Sequence, residues 1–158
     1  MEKPVILEGL YSAILMAHLL ITFVLVGAMT HNLLIVVKYV RGKFGRKKLE
    51  WLYVRVAFWS YLLVYISGAL IYPAFRVHIR AEAFDPLGWP TGLFEVKEHW
   101  GALGMALFVV YYLLRRNFDP EQEPDKLWFY VPLCVIINLI VWYKVIAGCY
   151  LSNLKGSW

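Results

Sequence analysis

Four long runs of hydrophobic residues dominate the chain and alternate with short polar connections. The runs cover residues 10–37, 56–75, 100–114 and 127–151. About 20 apolar residues are needed to cross a hydrocarbon core about 30 Å thick, and the third run approaches that length only if its helix begins near Phe94. We therefore expect an all-α integral membrane four-helix bundle, a single transmembrane domain over residues 1–158. Its helices are expected at approximately 10–38, 54–80, 94–114 and 127–150.

Composition favours a membrane protein over a soluble domain. Of the 158 residues, 61% are hydrophobic and 17% are charged, whereas soluble domains carry about 25% charged residues. The longest polar connection, 76–99, is too short to hold a separate soluble domain. The sequence thus predicts a multi-pass protein that meets the lipid bilayer along most of its length.

The formal net charge of +5 is concentrated at one end of the expected bundle. Ten Lys and Arg residues lie in or beside the first and third connections, whereas the N-terminus, the second connection and the C-terminus hold five. Because short cytoplasmic loops carry an excess of Lys and Arg, this asymmetry predicts that both termini lie on the non-cytoplasmic side of the inner (cytoplasmic) membrane. Orientation and contact with anionic lipid then explain the charge, and nucleic acid is not an expected partner.

Eight ionisable residues, contributed by all four expected helices, converge in the outer half of the bundle. They are His18, Arg76, His78, Arg80, Glu95, Glu98, His99 and Lys144. Ionisable groups at membrane depth are energetically costly and mark functional sites. His18 lies about two turns inside the outer end of the first helix, and Lys144 lies at a similar depth on the fourth. We therefore expect the functional site in this half.

The first functional hypothesis is a haem b site. Bis-histidine haem in a helix bundle needs two imidazoles on facing helices and small residues that let the porphyrin approach the backbone. His18 and His99 are the natural axial ligands of the haem iron, with His78 as a substitute and a five-coordinate haem on His18 alone as another option. The small residues beside His99 are Gly101, Ala102, Gly104 and Ala106. The expected partners of the propionates are Arg76, Arg80 and Lys144.

A structural interpretation stands beside the haem hypothesis. Gly and Ala in transmembrane helices commonly serve close packing, and the Lys144 ammonium can reach the interface by snorkelling, with Glu95 or Glu98 as its counter-charge. Glu95 and His99 are spaced i, i+4, so that the carboxylate would orient the imidazole. The same spacing, together with His78, suits a divalent metal, but one such pair ranks below haem.

Three polar residues fall in the opposite, inner half. His31 follows His18 by 13 residues, which places it about 20 Å further in and about 140° round the helix. The two histidines therefore cannot serve one small site. Asn32 and Asn138 share this half, where we expect His31 to make a buried hydrogen bond and the remaining residues to serve packing.

Two segments of the chain resemble the HemJ-type protoporphyrinogen oxidases and the related CopD-like small membrane proteins. They are LMAHLLITFVLVG, which contains His18, and VWYKVIAG, which contains Lys144. In that family the histidine of the first helix is associated with haem b, which implies this role for His18. The resemblance covers the topology of most of the chain, while the segment 72–104 has no assigned counterpart there.

Together these features favour a membrane b-type haem protein, or a haem-bearing subunit of a respiratory-type electron-transfer complex, with other membrane or periplasmic redox subunits as partners and quinone as a further ligand. One alternative is a cofactor-free anchor or assembly subunit that grips a partner through its outer polar cluster. Another is a HemJ-like porphyrinogen oxidase. The sequence has no nucleophile–base arrangement and no phosphate-binding glycine loop, so catalysis here would depend on the chemistry of a cofactor.

The predicted orientation can be tested with a reporter that is active only in the cytoplasm. Fused after Trp158, the reporter should be silent; inserted into the basic first connection, it should be active. The reverse pair of activities would show that the chain inserts the other way round.

Overall fold

The computed structural model of the chain describes residues 7–155. Within this range all regular structure is helical, and we label the four long helices α1 (Tyr11–Tyr39), α2 (Lys47–Phe75), α3 (Trp89–Arg116) and α4 (Leu127–Lys155). Short 3-10 turns precede α1 and α4, at Glu8–Leu10 and Pro124–Lys126, and a π-helical segment, Arg76–Phe84, continues α2. The two termini, which the charge pattern predicts to be non-cytoplasmic, lie outside the described residues.

Among the described residues, three helical segments are long and apolar enough to cross a membrane. They are Tyr11–Tyr39, Lys47–Phe84 and Pro124–Leu154. The fourth long helix, α3, is less apolar because its first three turns carry Glu95, Lys97 and Glu98. The expected all-helical architecture with four long helices is therefore confirmed. Three of the four expected membrane crossings are compatible with helix length and composition, and α3 is not among them.

The four helices form an up-and-down bundle. Both α1 and α3 pack against α2 and α4, so that α1 and α3 stand on one diagonal of the bundle. The connections 40–46 and 117–123 meet at one end, where Lys47 bonds to Asp119. We call this the basic end, and the end that carries the 85–88 turn the opposite end.

Local backbone signals set the helix ends. Gly42, just after α1, has φ +68°, and its N–H donates to the Tyr39 carbonyl (2.9 Å), a helix termination that favours glycine. Pro90 lies in the first turn of α3, where its missing N–H costs no helical hydrogen bond. The non-helical residues between the π-helical segment and α3 are therefore confined to 85–88.

The core lies in the half of the bundle near the basic end. Its largest side chains are aromatic: Phe108, Tyr111 and Tyr130 are all fully buried. The rings of Tyr111 and Tyr130 stack with centroids 4.5 Å apart at 11°, and Phe108 meets Tyr61 edge to face. By contrast, residues 11–24 of α1 include no buried side chain. Tight packing therefore holds the basic half and leaves the first half of α1 largely uncovered.

A buried carboxylate links all four helices at the basic end. Glu50, in the first turn of α2, is 0% exposed. Its carboxylate accepts hydrogen bonds from Arg115 Nε of α3 (2.6 Å), from the Tyr130 hydroxyl of α4 and, at 3.5 Å, from the Tyr39 hydroxyl of α1. Arg115 also donates to the Phe118 carbonyl (3.0 Å). A buried charge with this set of donors is compensated, whereas the loss of one charged partner would leave it uncompensated.

These contacts explain why α2 begins at Lys47, ahead of the expected start at residue 54. Lys47 Nζ donates to Asp119 (2.9 Å) and to Glu121 (2.7 Å) in the 117–123 connection. The hydrogen bond from Lys47 lowers the pKa of the Asp119 carboxyl below its usual value. Because Asp119 is only half-buried and Glu121 is exposed, we expect the ion pairs of Lys47 to matter less for stability than the buried pair of Glu50 and Arg115.

The substitution Arg115→Met should destabilise the bundle by about 3–5 kcal/mol, because it leaves the Glu50 carboxylate buried without its cation. The matched control is Lys126→Met, which removes the exposed partner of Glu123 and should cost less than about 1 kcal/mol. Reversible denaturation of both variants in detergent micelles measures the difference. Equal losses would contradict a special role for the buried pair.

Candidate functional site

His18 faces α2 and makes a defined side-chain hydrogen bond. Its Nδ1 lies 2.9 Å from Ser67 Oγ, and the Ser67 hydroxyl donates to the Leu63 carbonyl at 2.7 Å. Since the serine proton is used in that bond, His18 donates through Nδ1–H and its Nε2 carries the lone pair. The imidazole also packs over Gly68, where an added Cβ would lie 3.5 Å from its Cε1. His18 is therefore a half-buried imidazole whose ring orientation is fixed.

Lys144 lies on α4 at the same level and packs across the backbone of α3. An added Cβ at Gly101 would collide with its Nζ and would lie 3.1 Å from its Cε. The amine interacts electrostatically with Glu98 and Lys97 of α3. The same two residues and Lys144 also act on His18. The structure thus brings together three of the residues expected from the sequence and adds Lys97.

We call His18, Lys97, Glu98 and Lys144 the outer cluster. Within it, Lys97 Nζ forms an ion pair with Glu98 Oε1 at 3.1 Å and lies 4.7 Å from the ring centre of Phe94. The cluster carries two amines and one carboxylate, so it is net positive with the imidazole neutral. Such a site suits a ligand or partner group that carries a carboxylate or another anion.

His99 occupies a different position from the one that the sequence suggests. Its side chain is exposed on α3, next to Val96, Trp100 and Leu103, and its Nδ1–H donates to the backbone carbonyl of Glu95 (2.7 Å). Among the described residues, no hydrogen bond or ring contact joins His99 to His18. The imidazole is therefore oriented by its own helix rather than by the Glu95 carboxylate.

The Glu95 carboxylate pairs instead with Arg80. Arg80 donates to Glu95 Oε1 (2.8 Å) and to Asp85 Oδ1 (3.2 Å), and Asp85 also accepts from the Thr91 hydroxyl (2.7 Å). The hydrogen bond from Thr91, followed by that from Arg80, lowers the pKa of Asp85. This network ties the π-helical segment to the first turns of α3, so Arg80 is already engaged with protein carboxylates.

Arg76 and His78 lie on the exposed surface of the π-helical segment. Arg76 acts electrostatically on Asp85, which places it beside the network of Arg80. Of the three cations expected at the propionates, only Lys144 therefore belongs to the outer cluster.

The small residues expected beside a porphyrin divide between two faces of α3. Gly101 and Gly104 are buried, whereas Ala102 and Ala106 are exposed. The two glycines are already covered: Lys144 lies over Gly101, and the Tyr61 hydroxyl lies over Gly104 and donates to the Gly101 carbonyl (3.1 Å). This face therefore serves close packing between helices.

His31 is exposed, and the expected buried hydrogen bond is absent. Its Nδ1–H donates to the Gly27 carbonyl of its own helix (2.7 Å), and its ring centre lies 5.5 Å from that of Tyr53. A histidine that bonds one turn back along its helix needs no further partner there. His31 is thus an exposed residue of α1 that contacts Tyr53 of α2.

Sequence reasoning missed the buried carboxylate of Glu50, although it placed Asn32 and Asn138 in the inner half. Besides Glu50, the fully or almost fully buried polar residues of this half include Asn32 and Asn138, with Cys134 between them. Glu50 was missed because the expected helix boundary placed it in a connection. The sequence features that could have predicted its pairing are an acidic residue within a basic segment and an arginine at the end of the third hydrophobic run.

Among the described residues, no group of three or more His, Cys, Asp or Glu side chains is placed to hold a metal ion. No protein-family model, curated protein or solved structure matches the chain. The outer cluster and the buried polar residues at the basic end are therefore the two candidate sites of the described residues.

The two buried glycines of α3 should respond differently to alanine. Gly104→Ala places a methyl group against the Tyr61 hydroxyl and 2.9 Å from Ile140 Cγ2, so it should cost about 1–3 kcal/mol of stability. Gly101→Ala meets the flexible end of Lys144, which can move, and should cost less. Gly27→Ala is the control because nothing lies within 4 Å of its added Cβ. Thermal unfolding in micelles ranks the three, and a Gly101 variant as unstable as the Gly104 variant would contradict the packing described.

Proposed function

We propose that this protein is a membrane haem-b protein, or the haem-bearing subunit of a respiratory-type electron-transfer complex, with its cofactor in the half of the bundle that carries the outer cluster. The observation that carries the proposal is the hydrogen bond between His18 Nδ1 and Ser67 Oγ. Histidines that ligate metals commonly donate their other ring N–H to a fixed acceptor, which sets the tautomer and the ring orientation. His18 has this arrangement at membrane depth.

The surroundings of His18 fit one end of a haem. The first half of α1 lacks buried side chains, so the side of the bundle beside His18 is not closed by packing. Lys144 and Lys97 supply positive charge for the propionates. When bound, the haem would supply one-electron chemistry, while the chain would orient the ligand through Ser67 and hold the carboxylates through its lysines.

The structure supports His18 more strongly than His99 as an axial ligand. His99 is exposed on α3, apart from the outer cluster, and its glycine neighbours are covered by Lys144 and Tyr61. The proposal therefore begins with a haem held by His18 alone. His99 and His78 remain predicted second ligands, to be tested by substitution.

The remaining parts of the proposal concern placement and partners. The excess of Lys and Arg at the basic end supports a cytoplasmic position for that end, with both termini on the other side of the inner (cytoplasmic) membrane. A haem in the opposite half would exchange electrons with other membrane or periplasmic redox subunits or with a quinone.

One alternative has its own supporting observation. The network of Arg80, Asp85, Thr91 and Glu95 holds the segment between α2 and α3 in a fixed shape, and Trp89 is 49% exposed beside it. A rigid, partly apolar projection suits a cofactor-free anchor or assembly subunit that grips a partner. A HemJ-like porphyrinogen oxidase remains a prediction from the resemblance alone.

The visible spectrum of the purified, dithionite-reduced protein tests the haem proposal. The protein should be produced with a haem precursor supplied and, if colourless, titrated with hemin. We expect a b-type α-band that is lost in His18→Ala and retained in the control His31→Ala, because His31 bonds only to its own helix. Retention of the band in His99→Ala supports the single-ligand arrangement.

Two results would overturn the proposal. A folded protein that stays colourless and binds no hemin does not hold haem, and a band unchanged in His18→Ala assigns the haem to another residue. In the first case, co-purification of a stable membrane partner that depends on Trp89 and Arg80 would favour the anchor subunit.

A further inference from the structure

A row of buried polar side chains leads from the basic end toward the middle of the bundle. It starts at Glu50, whose carboxylate accepts a hydrogen bond from the Tyr130 hydroxyl. Tyr130 stacks on Tyr111 with ring centroids 4.5 Å apart, and the hydroxyl of Tyr111 interacts with that of Tyr130. All three residues are fully buried. Three groups that can take up or release a proton, each from a different helix, are thus neighbours in space.

The row of buried polar side chains continues through two amides and a thiol. Asn32 Nδ2 lies 2.6 Å from the Tyr111 hydroxyl and 3.5 Å from Cys134 Sγ. Asn138 Nδ2 donates to the Cys134 carbonyl (3.0 Å) and lies 3.8 Å from the same sulfur. Asn32 is 0% exposed and Asn138 is 3% exposed. The Cys134 thiol therefore sits between two buried amides.

Both amide oxygens lack a protein donor. Asn32 Oδ1 and Asn138 Oδ1 accept no hydrogen bond from any described residue. Exchanging the oxygen and nitrogen of Asn32 would let Tyr111 donate to it, but it would leave the nitrogen unpaired in the same place. A buried polar atom that is left unpaired destabilises the folded state. Buried waters commonly satisfy such groups, and the two amides meet the need for several polar partners.

We propose that a water molecule binds beside Cys134, between Asn32 and Asn138, and completes a proton path that joins the solution at the basic end to the middle of the bundle. The path runs from Glu50 through Tyr130, Tyr111 and this water. We infer the path from the successive contacts between these side chains and from the two unpaired amide oxygens. It does not depend on haem binding, because none of its members belongs to the outer cluster.

Proton movement along this path leaves every group unchanged. Each hydroxyl gives one proton to the next oxygen and receives one from the preceding group. For each proton that reaches the water and the Cys134 thiol, one proton returns to the solution along the same groups, so no oxidant or reductant is needed. Glu50 is the entrance because it lies in the first turn of α2, one turn from Lys47, whose side chain is 27% exposed. Arg115 and Tyr39 face the same carboxylate.

An apolar layer ends the path in the middle of the bundle. Phe108 packs edge-on against both Tyr111 and Tyr61, and Ile137 and Ile140 of α4 are also buried. Tyr61, beyond this layer, donates to the Gly101 carbonyl instead. The path therefore exchanges protons with one side only and does not form a channel across the membrane.

The thiol of Cys134 reports on the path directly. In a Cys149→Ser background, Cys134 is the only thiol, and its S–H infrared band can be followed after transfer of the protein into D₂O. A thiol sealed in a dry core would exchange only when the bundle opens. We expect the S–H band to be replaced by an S–D band faster than the slowest backbone amides of α4 exchange.

The variants Tyr130→Phe and Tyr111→Phe keep the rings and remove the hydroxyls. Each should slow exchange of the Cys134 thiol at least about tenfold, equivalent to about 1.4 kcal/mol of barrier. Tyr61→Phe is the matched control, since Tyr61 is equally buried and contacts the same Phe108 but lies beyond the apolar layer. It should leave the rate unchanged.

Exchange of the thiol at the rate of the slowest α4 amides would overturn the proposal, as would equal rates in all three tyrosine variants. If a variant is also less stable, its amide exchange rises, and slower thiol exchange against faster amide exchange would still support the path. Because the measurement uses protein without haem, it is independent of the visible spectrum.

Discussion

The carboxylate of Glu50 is the constraint on which the basic half of this bundle depends. It is removed from water, so its charge must be met by donors from the protein, and those donors come from each of the other three helices. Apolar packing alone is weakly directional in a membrane, where lipid competes for every hydrophobic surface. A charged acceptor with three fixed donors is directional, and it sets the register of Arg115 on α3 and Tyr130 on α4. The stacked tyrosines and the buried amides follow from that register.

The two halves of the molecule therefore differ in how their polar groups are treated. At the basic end, the polar groups are enclosed and largely paired with one another, which is the condition under which buried polar networks give a unique structure. In the outer cluster, the imidazole of His18 is oriented but half-buried, and two amines face a single carboxylate. The first arrangement is enclosed and, apart from the two amide oxygens, paired within the protein. The second has unused positive charge, which is why we place ligand binding there.

Hydropathy and residue depth were enough to predict the helices, the membrane environment and the grouping of His18, Glu98 and Lys144. These properties depend on position along a helix axis, which a sequence shows directly. The face of a helix on which a residue lies is harder to predict from the sequence. For that reason His99 was expected to face the interior of the bundle, whereas its side chain is exposed. In lipid the exposed face is apolar too, so the usual contrast between core and surface is weak. Glu50 was missed because its pairing with Arg115 joins residues far apart in the chain, and each alone resembles an ordinary charged residue at a membrane boundary.

The weak apolar character of α3 has a consequence for how the chain enters the membrane. Its first turns carry charges, and charged residues oppose the insertion of a helix, most strongly near its centre. Yet α3 packs along α4, a strongly apolar helix that is made after it. A hairpin of α3 and α4 would therefore enter lipid more readily than α3 alone, because packing against α4 covers part of the less apolar helix.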